Sequence, residues 1–229
     1  MARWLRMSWL VVAAVAAAPS IPAARARAAL GVTVDHVRNG GVIPPVYAFC
    51  VASRTGHTAP GPNRSPAIAW SHGPAETRSY AIVMVDTDAP TDFATADKEG
   101  AVIPAAMTRR DFYHWVLVDI PPGAGALADG ADSAGPAAKP AGPTPHGVRG
   151  LNGYGGGRAG YDGPCPPWND AIAHHYHIRV YALDVVHLVL PHPFAGTDVM
   201  TAIRGHVLAR GEIVGLYTQN PDVARTLRR

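Results

Sequence analysis

Residues that could bind a ligand or catalyse a reaction are concentrated in the stretch from Gly150 to Asp184. It contains a glycine-rich loop, the turn Gly163-Pro164-Cys165-Pro166-Pro167, and a strand-like run that begins at His174. Glycine lets the backbone approach a ligand closely, proline stiffens one wall, and an alternating strand delivers polar side chains at one end and apolar ones further in. This combination is typical of a binding site.

Two patterns within this stretch would suggest a cofactor or a metal. The run Gly155-Gly156-Gly157-Arg158-Ala159-Gly160 matches the spacing of a dinucleotide-binding loop, but such a loop must open a helix, and a proline-rich turn follows here. His174, His175 and His177 are possible metal ligands, yet on a strand His174 points away from the other two. We therefore predict no cofactor and no metal.

A second motif, Asp86-Thr87-Asp88-Ala89-Pro90, ends an apolar strand, and His114 opens the next one. Strand parity places His114 on the face of Val116 and Val118. An Asp and a His at the ends of neighbouring buried strands can form a hydrogen-bonded pair in which the carboxylate fixes the imidazole tautomer. The alternative is a turn-capping Asp and a buried His satisfied elsewhere. The repeated placement of polar residues at strand ends favours the pair.

Short strands separated by proline and glycine must position these groups, which predicts a mostly β fold. The predicted strands are Gly31–His36, Ala67–Ser71, Tyr80–Asp86, Phe112–Ile120, His175–Asp184 and Glu212–Thr218. Tyr80–Asp86 and Phe112–Ile120 lack strict polar alternation, so we expect them to be central strands covered on both faces. Apolar residues at four-residue spacing predict one helix, Asp198–Arg210, with Thr197 or Asp198 as its N-cap and Gly211 just past its end.

Two long loops connect the predicted strands. Thr91–Asp111 is an insertion between two strong strands, and Pro121–Asn169 is a connection rich in Gly, Pro and Ala. Loops of this length inside a compact domain usually line or cover a site. A domain linker is the alternative, but neither flank has enough strands to close its own core.

The first 28 residues have the layout of a secretory signal peptide: a basic start, an apolar run from Trp9 to Ala18, and a small-x-small site that ends at Ala28. The apolar run falls short of the roughly 20 residues that span a bilayer, which argues against a membrane anchor. We predict a leader over 1–28, one domain over 29–229, and a periplasmic or secreted location. The leader holds four arginines and no acid, so its removal changes the net charge from +3 to −1. Electrostatic capture of nucleic acid or of an anionic membrane needs a positive surplus that the mature chain lacks.

Four ordered motifs together resemble the phosphatidylethanolamine-binding protein family, and specifically its bacterial, Raf-kinase-inhibitor-like branch. They are Ser65-Pro66-Ala67-Ile68-Ala69-Trp70, Asp86-Thr87-Asp88-Ala89-Pro90, His114-Trp115-Val116-Leu117-Val118, and Gly163-Pro164-Cys165-Pro166-Pro167 with His174-His175-Tyr176. The chain departs from the family pattern in three places. Thr87 replaces the usual Pro, His175 stands where Arg is frequent, and the insertion Thr91–Asp111 is longer than in the shortest members.

The resemblance implies a Greek-key β-sandwich with one or two peripheral helices and a small anion pocket at one end. The ligand-binding residues that it implies are Asp86, Asp88, Pro90, His114, Gly163, Pro166, Pro167, His174 and Tyr176. It also places cysteines in the two segments that carry Cys50 and Cys165. A disulfide and two free, buried thiols both stay open at this point, although export favours the disulfide.

We expect an exported protein that binds phosphate-bearing small molecules or phospholipid headgroups and is not an enzyme. The histidines would donate to the anion, so binding should tighten as they are protonated near pH ~6.5. Two alternatives remain: an exported inhibitor of a protease or kinase-type partner, acting by protein–protein contact, and a metal-dependent hydrolase built on Asp86, His114 and His174. The sequence contains none of the common hydrolase or metalloprotease motifs that would favour the second.

Overall fold

The structure, a computed structural model, describes residues 28–133 and 135–227, so residues 1–27 of the predicted leader lie outside the described residues. Its strands are β1 (Ala28–Ala29), β2 (Val32–Val34), β3 (Gly41–Val42), β4 (Cys50–Ser53), β5 (His57–Pro60), β6 (Ile68–Trp70), β7 (Ser79–Pro90), β8 (Arg109–Ile120), β9 (Ala126–Leu127), β10 (Gly142–Thr144), β11 (Gly147–Arg149), β12 (His174–Leu183) and β13 (Val207–Tyr217). Its α-helices are α1 (Gly196–Ala202) and α2 (Pro221–Thr226), and a 3-10 turn covers Pro45–Tyr47.

An eight-stranded sheet organises the chain in the order β1-β13-β12-β7-β8-β11-β10, with β3 also paired to β13. Its four central strands, β13, β12, β7 and β8, are antiparallel to one another, whereas β1 and β3 pair with β13 in parallel. The smaller sheet β2-β6-β9 packs on one face and buries Tyr80, Ile82 and Met84. The opposite face is covered by α1 and the segment before it, which bury Ala81 and Val83. The predicted mostly β sandwich with one or two peripheral helices is therefore confirmed, with both faces of the central strands covered.

The predicted helix Asp198–Arg210 is wrong over its second half. The helix begins at Gly196, where the Asp198 carboxylate accepts the Ala195 N–H at 2.8 Å, and it ends at Ala202. Residues from Val207 onward belong to β13, whose backbone pairs with β12 from Leu183 to His174. The backbone hydrogen bonds of a full-length partner strand outweigh the local apolar spacing that favours a helix. Gly211 lies inside β13, where a Cβ atom would be 2.4 Å from the Leu30 carbonyl oxygen.

A β-bulge in β8 overturns the predicted face of His114. Met84 pairs with Trp115 and the next residue, Val85, pairs with Tyr113, so His114 is the additional residue on its strand. A bulge of this kind re-aims the side chain that it contains. The His114 ring consequently packs against Tyr176, with ring centroids 5.1 Å apart, whereas Val116 and Val118 lie in the core of the opposite face.

Candidate functional site

A cavity of about 290 Å³ opens at the end of the sheet where β7 leaves the core and β8 and β12 enter it. It is lined by Asp86, Ala89, Pro90, Phe93, Arg110, Phe112, His114, Gly153, Tyr154, Cys165, Pro166, Pro167 and His174. Most of these side chains are apolar or aromatic, and the polar groups are few. That balance is typical of small-molecule sites.

The innermost polar groups form a chain of ion pairs that we call the ionic network: Asp86, His174, Asp170 and Arg109. His174 joins two carboxylates, because its Nδ1 lies 2.7 Å from Asp86 Oδ2 and its Nε2 lies 3.1 Å from Asp170 Oδ2. Arg109 in turn binds Asp170 through both terminal guanidinium nitrogens, Nη1 and Nη2, at 2.5 and 3.0 Å. Every carboxylate of the network is therefore matched by a neighbouring donor.

His174 is held as an imidazolium by this network. Burial opposes its protonation, but the hydrogen bonds and charges of Asp170 and Asp86 outweigh that penalty and raise the pKa of His174 to about 9. The pKa of Asp170 is correspondingly lowered, since its bonds to His174 and Arg109 exceed the cost of burial. At neutral pH the network thus contains two cations and two anions.

His114 is held differently, and the predicted Asp86–His114 pair does not form. The His114 Nδ1 donates to the backbone carbonyl oxygens of Asp162 and Gly163, at 2.9 and 3.1 Å, because a carbonyl can only accept. Burial lowers the pKa of His114 and favours the neutral ring, despite the nearby Asp86 charge. The nitrogen left for a ligand is therefore Nε2. The bulge explains the change of partner, because it re-aims His114 toward these carbonyls.

A buried carboxylate, Asp162, holds the loop that carries these carbonyls. It accepts hydrogen bonds from Asn63 at 2.7 Å, from Asn152 at 2.8 Å, and from Arg158 at 2.8 and 2.9 Å. The next residue, Gly163, has no room for a side chain, since a Cβ atom would lie 1.9 Å from the Tyr47 carbonyl oxygen. The position of His114 thus depends on the loop before the proline turn.

The proline turn forms one wall of the cavity and is covalently fixed. A disulfide joins Cys165 to Cys50, the first residue of β4, with the two Cα atoms 4.7 Å apart. Gln219 donates to the Pro166 carbonyl oxygen at 2.6 Å. Of the two alternatives left open for the cysteines, the structure contains the disulfide.

Comparison with known proteins identifies the family. The family model described as phosphatidylethanolamine-binding protein matches residues 33–218, which is most of the chain. The chain belongs to the phosphatidylethanolamine-binding protein family. It is 35% identical over 162 residues to a UPF0098 protein of Methanothermobacter thermautotrophicus, covering 70% of this chain and 87% of that one. A UPF0098 protein of Aquifex aeolicus is 33% identical, with 80% of this chain and 85% of that one covered.

A solved member of the family has the same architecture. The crystal structure of Escherichia coli YbcL, described as a member of the mammalian PEBP family, superposes with a TM-score of 0.63 at 26% identity. The match covers 83% of this chain and 99% of YbcL. The resemblance predicted from four sequence motifs is confirmed.

Six of the nine predicted ligand residues line the cavity, and three do not. Those that line the cavity are Asp86, Pro90, His114, Pro166, Pro167 and His174. The others, Asp88, Gly163 and Tyr176, are outside its lining. The Gly163 N–H donates to Asn63, and Asp88 accepts from the backbone of His175. The Tyr176 hydroxyl is buried without a hydrogen-bond partner among the described residues.

Sequence reasoning missed several residues of the site: Phe93, Arg109, Arg110, Phe112, Tyr154, Asp162 and Asp170. Asp170 precedes His174 by four residues but lies in a loop, where spacing predicts no contact. Phe93 and Arg110 fall within the predicted insertion Thr91–Asp111, whose length was the available signal. The described residues contain no cluster of three or more His, Cys, Asp or Glu arranged to hold a metal. Over the same residues, no helix is long and apolar enough to cross a membrane.

Proposed function

We propose that this protein binds a small phosphate-bearing molecule or phospholipid headgroup in the cavity beside His114. One observation carries the proposal: a mostly apolar cavity is bordered by His114, whose Nδ1 is bonded to two carbonyl oxygens and whose Nε2 is left for a ligand. A phosphate that keeps one proton can donate to this nitrogen, and a fully ionised phosphate can accept from it once the ring is protonated. Membership of the family supports the same ligand class.

We further propose that the protein catalyses no reaction. Catalysis by a side-chain nucleophile needs that group beside a free base. Cys165 is blocked by its disulfide, and the Tyr154 hydroxyl is committed to the Gly163 carbonyl oxygen at 2.8 Å. Both nitrogens of His174 are bonded to carboxylates, so it has no lone pair to offer as a base.

Export is the third part of the proposal. The leader-like sequence over 1–28 supports it, and so does the disulfide, because such bonds persist mainly in oxidising compartments. Fractionation of expressing cells, followed by N-terminal sequencing, tests it. We expect a periplasmic or secreted chain that begins at Ala29. A full-length chain confined to the cytoplasm would overturn this part.

The ligand proposal is tested by titration with inorganic phosphate, phosphoethanolamine and a lysophospholipid, observed through the imidazole NMR signals. We expect His114 to shift at millimolar ligand, and His114→Gln to weaken binding by about tenfold, the effect of losing one hydrogen bond to a charged group. His36→Gln is the matched control, because His36 is exposed and remote from the cavity lining. An unshifted His114 signal with all three ligands would contradict the proposal.

A further inference from the structure

The ionic network has little capacity left for a ligand's charge. Both nitrogens of His174 are engaged by carboxylates, and Asp86 uses Oδ2 for His174 and Oδ1 for the Asp88 N–H at 2.7 Å. Arg109 is shared between Asp170 and the carbonyl oxygens of Asp88 and Pro104. The cations of the network therefore neutralise its own carboxylates, and an anionic group that a ligand carries besides the phosphate at His114 must be matched by another cation.

Arg110 supplies a cation that the network does not consume. It lines the same cavity, is exposed, and forms no ion pair with the carboxylates of the described residues. Its guanidinium lies over the ring of Phe93, 5.6 Å from the centroid, and Phe93 is 45% exposed although it is a large apolar side chain. We call Arg110 and Phe93 the mouth pair. A guanidinium stacked on an aromatic ring keeps its N–H edges available for an anion.

The register of the sheet places Arg110 farther from the core than Phe112 and His114, within the same cavity. Phe112 pairs with Asp86, and Arg110 pairs with Ala89, closer to the end of β7. Arg110 lies four residues from His114, roughly 13 Å along a strand, and both side chains border the cavity. A ligand that reaches from His114 to Arg110 must therefore carry a second polar group several bonds from the first.

The mouth pair rests on an anchored segment. Asn169, which is buried, binds residues 91–108 by donating to the carbonyl oxygens of Thr95 and Ala101, at 2.8 and 3.1 Å, and by accepting the Asp97 N–H at 3.0 Å. Ile103 of the same segment is completely buried. The segment that carries Phe93 is thus part of the packed structure, which limits the freedom of the site.

We propose that the mouth pair is an outer subsite that binds a carboxylate of the ligand, while the phosphate of the same molecule lies deeper, beside His114. The ligand class is then phosphorylated amino acids or hydroxy acids, free or as a headgroup. This inference rests on the proposed function. Arginine suits the role because its planar fork matches a carboxylate with two parallel hydrogen bonds.

Two ligands that differ by one carboxylate test the subsite: O-phosphoserine and phosphoethanolamine, each titrated by calorimetry, with inorganic phosphate as the common reference. We expect O-phosphoserine to bind about three- to tenfold more tightly than phosphoethanolamine, as for a partly solvated charge-assisted contact. Arg110→Gln should abolish this difference and leave inorganic phosphate unchanged. Arg110→Lys should restore part of it, because the charge returns without the fork. Arg38→Gln, at an exposed arginine outside the cavity, should change nothing.

The outcomes separate the subsite from the function on which it rests. Equal affinities for the two esters, or a difference that survives Arg110→Gln, would overturn the subsite while phosphate binding stands. Failure of all three ligands to bind would overturn both. Weaker binding of inorganic phosphate in Arg110→Gln would also contradict the subsite, since Arg110 would then hold the phosphate itself.

Discussion

The ionic network and the mouth pair are built in opposite ways, although both border one cavity. In the network, Asp86, His174, Asp170 and Arg109 satisfy one another's charges, and Asp86, Asp170 and His174 are buried. In the mouth pair, an exposed guanidinium lies over an exposed aromatic ring, and no carboxylate of the described residues forms an ion pair with it. Charged groups that border a cavity therefore need not bind the ligand. The network maintains the structure of the site, and the mouth pair is the part that we propose selects the ligand.

Removing the disulfide that fixes the cavity wall should have the largest effect on stability. The disulfide between Cys50 and Cys165 spans 115 residues of sequence. Replacing both cysteines by alanine should lower the free energy of unfolding by about 4 to 5 kcal/mol on chain-entropy grounds. Urea denaturation measures the change. Thiol titration of the denatured, non-reduced wild type is the companion experiment, and two reactive thiols would show that the disulfide is absent.

The ionic network should be nearly as costly to disturb. Asp170→Asn removes a buried charge that faces both Arg109 and His174, and breaking a buried pair of this kind costs about 3 to 5 kcal/mol of unfolding free energy. Asp222→Asn is the matched control, because its partner Arg225 is exposed and the change should stay within about 0.5 kcal/mol. Similar losses in the two variants would remove the distinction between the network and a surface ion pair.

The raised pKa of His174 predicts how stability depends on pH. Its pKa is about 9 in the folded protein and ~6.5 in an unfolded chain, so its contribution is complete below pH ~6.5 and is lost as pH rises through 9. The resulting decrease in unfolding free energy is about 3 kcal/mol, at 1.36 kcal/mol per pKa unit. Chemical denaturation of wild type and His174→Gln between pH 6 and 9.5 tests it. The variant should lack the decrease; an equal decrease in both proteins would assign it to other groups.

A substitution in the mouth pair should have the smallest effect on the free energy of unfolding. Phe93→Ala removes an exposed ring from the Arg110 guanidinium and should change the unfolding free energy by less than about 1 kcal/mol. Thermal unfolding measures this. A loss as large as that of Asp170→Asn would mean that the mouth pair, like the network, supports the fold.

The sequence predicted the central strands because their apolar runs are long and covered on both faces, as at Tyr80–Asp86. Through the family resemblance it also predicted six of the thirteen residues that line the cavity, among them Pro166, Pro167 and His174, which belong to one recognisable motif. The contacts that the site residues make with one another could not be predicted from the sequence. The bulge at His114 depends on how β8 pairs with β7, and the contact between His174 and Asp170 depends on how a loop folds back. Likewise, the residues after Ala202 are apolar at helical spacing, and only the presence of β12 beside them makes them a strand.

The central claim is that the cations and carboxylates of the ionic network neutralise one another. A pH titration of His114 and His174, observed through their imidazole NMR signals, tests it most directly. We expect a midpoint of about 9 for His174, because Asp86 and Asp170 stabilise its imidazolium, and a midpoint below 6.5 for His114, because burial favours its neutral ring. Adding inorganic phosphate should shift the His114 signal and leave the His174 midpoint in place. Midpoints near 6.5 for both histidines would contradict the account.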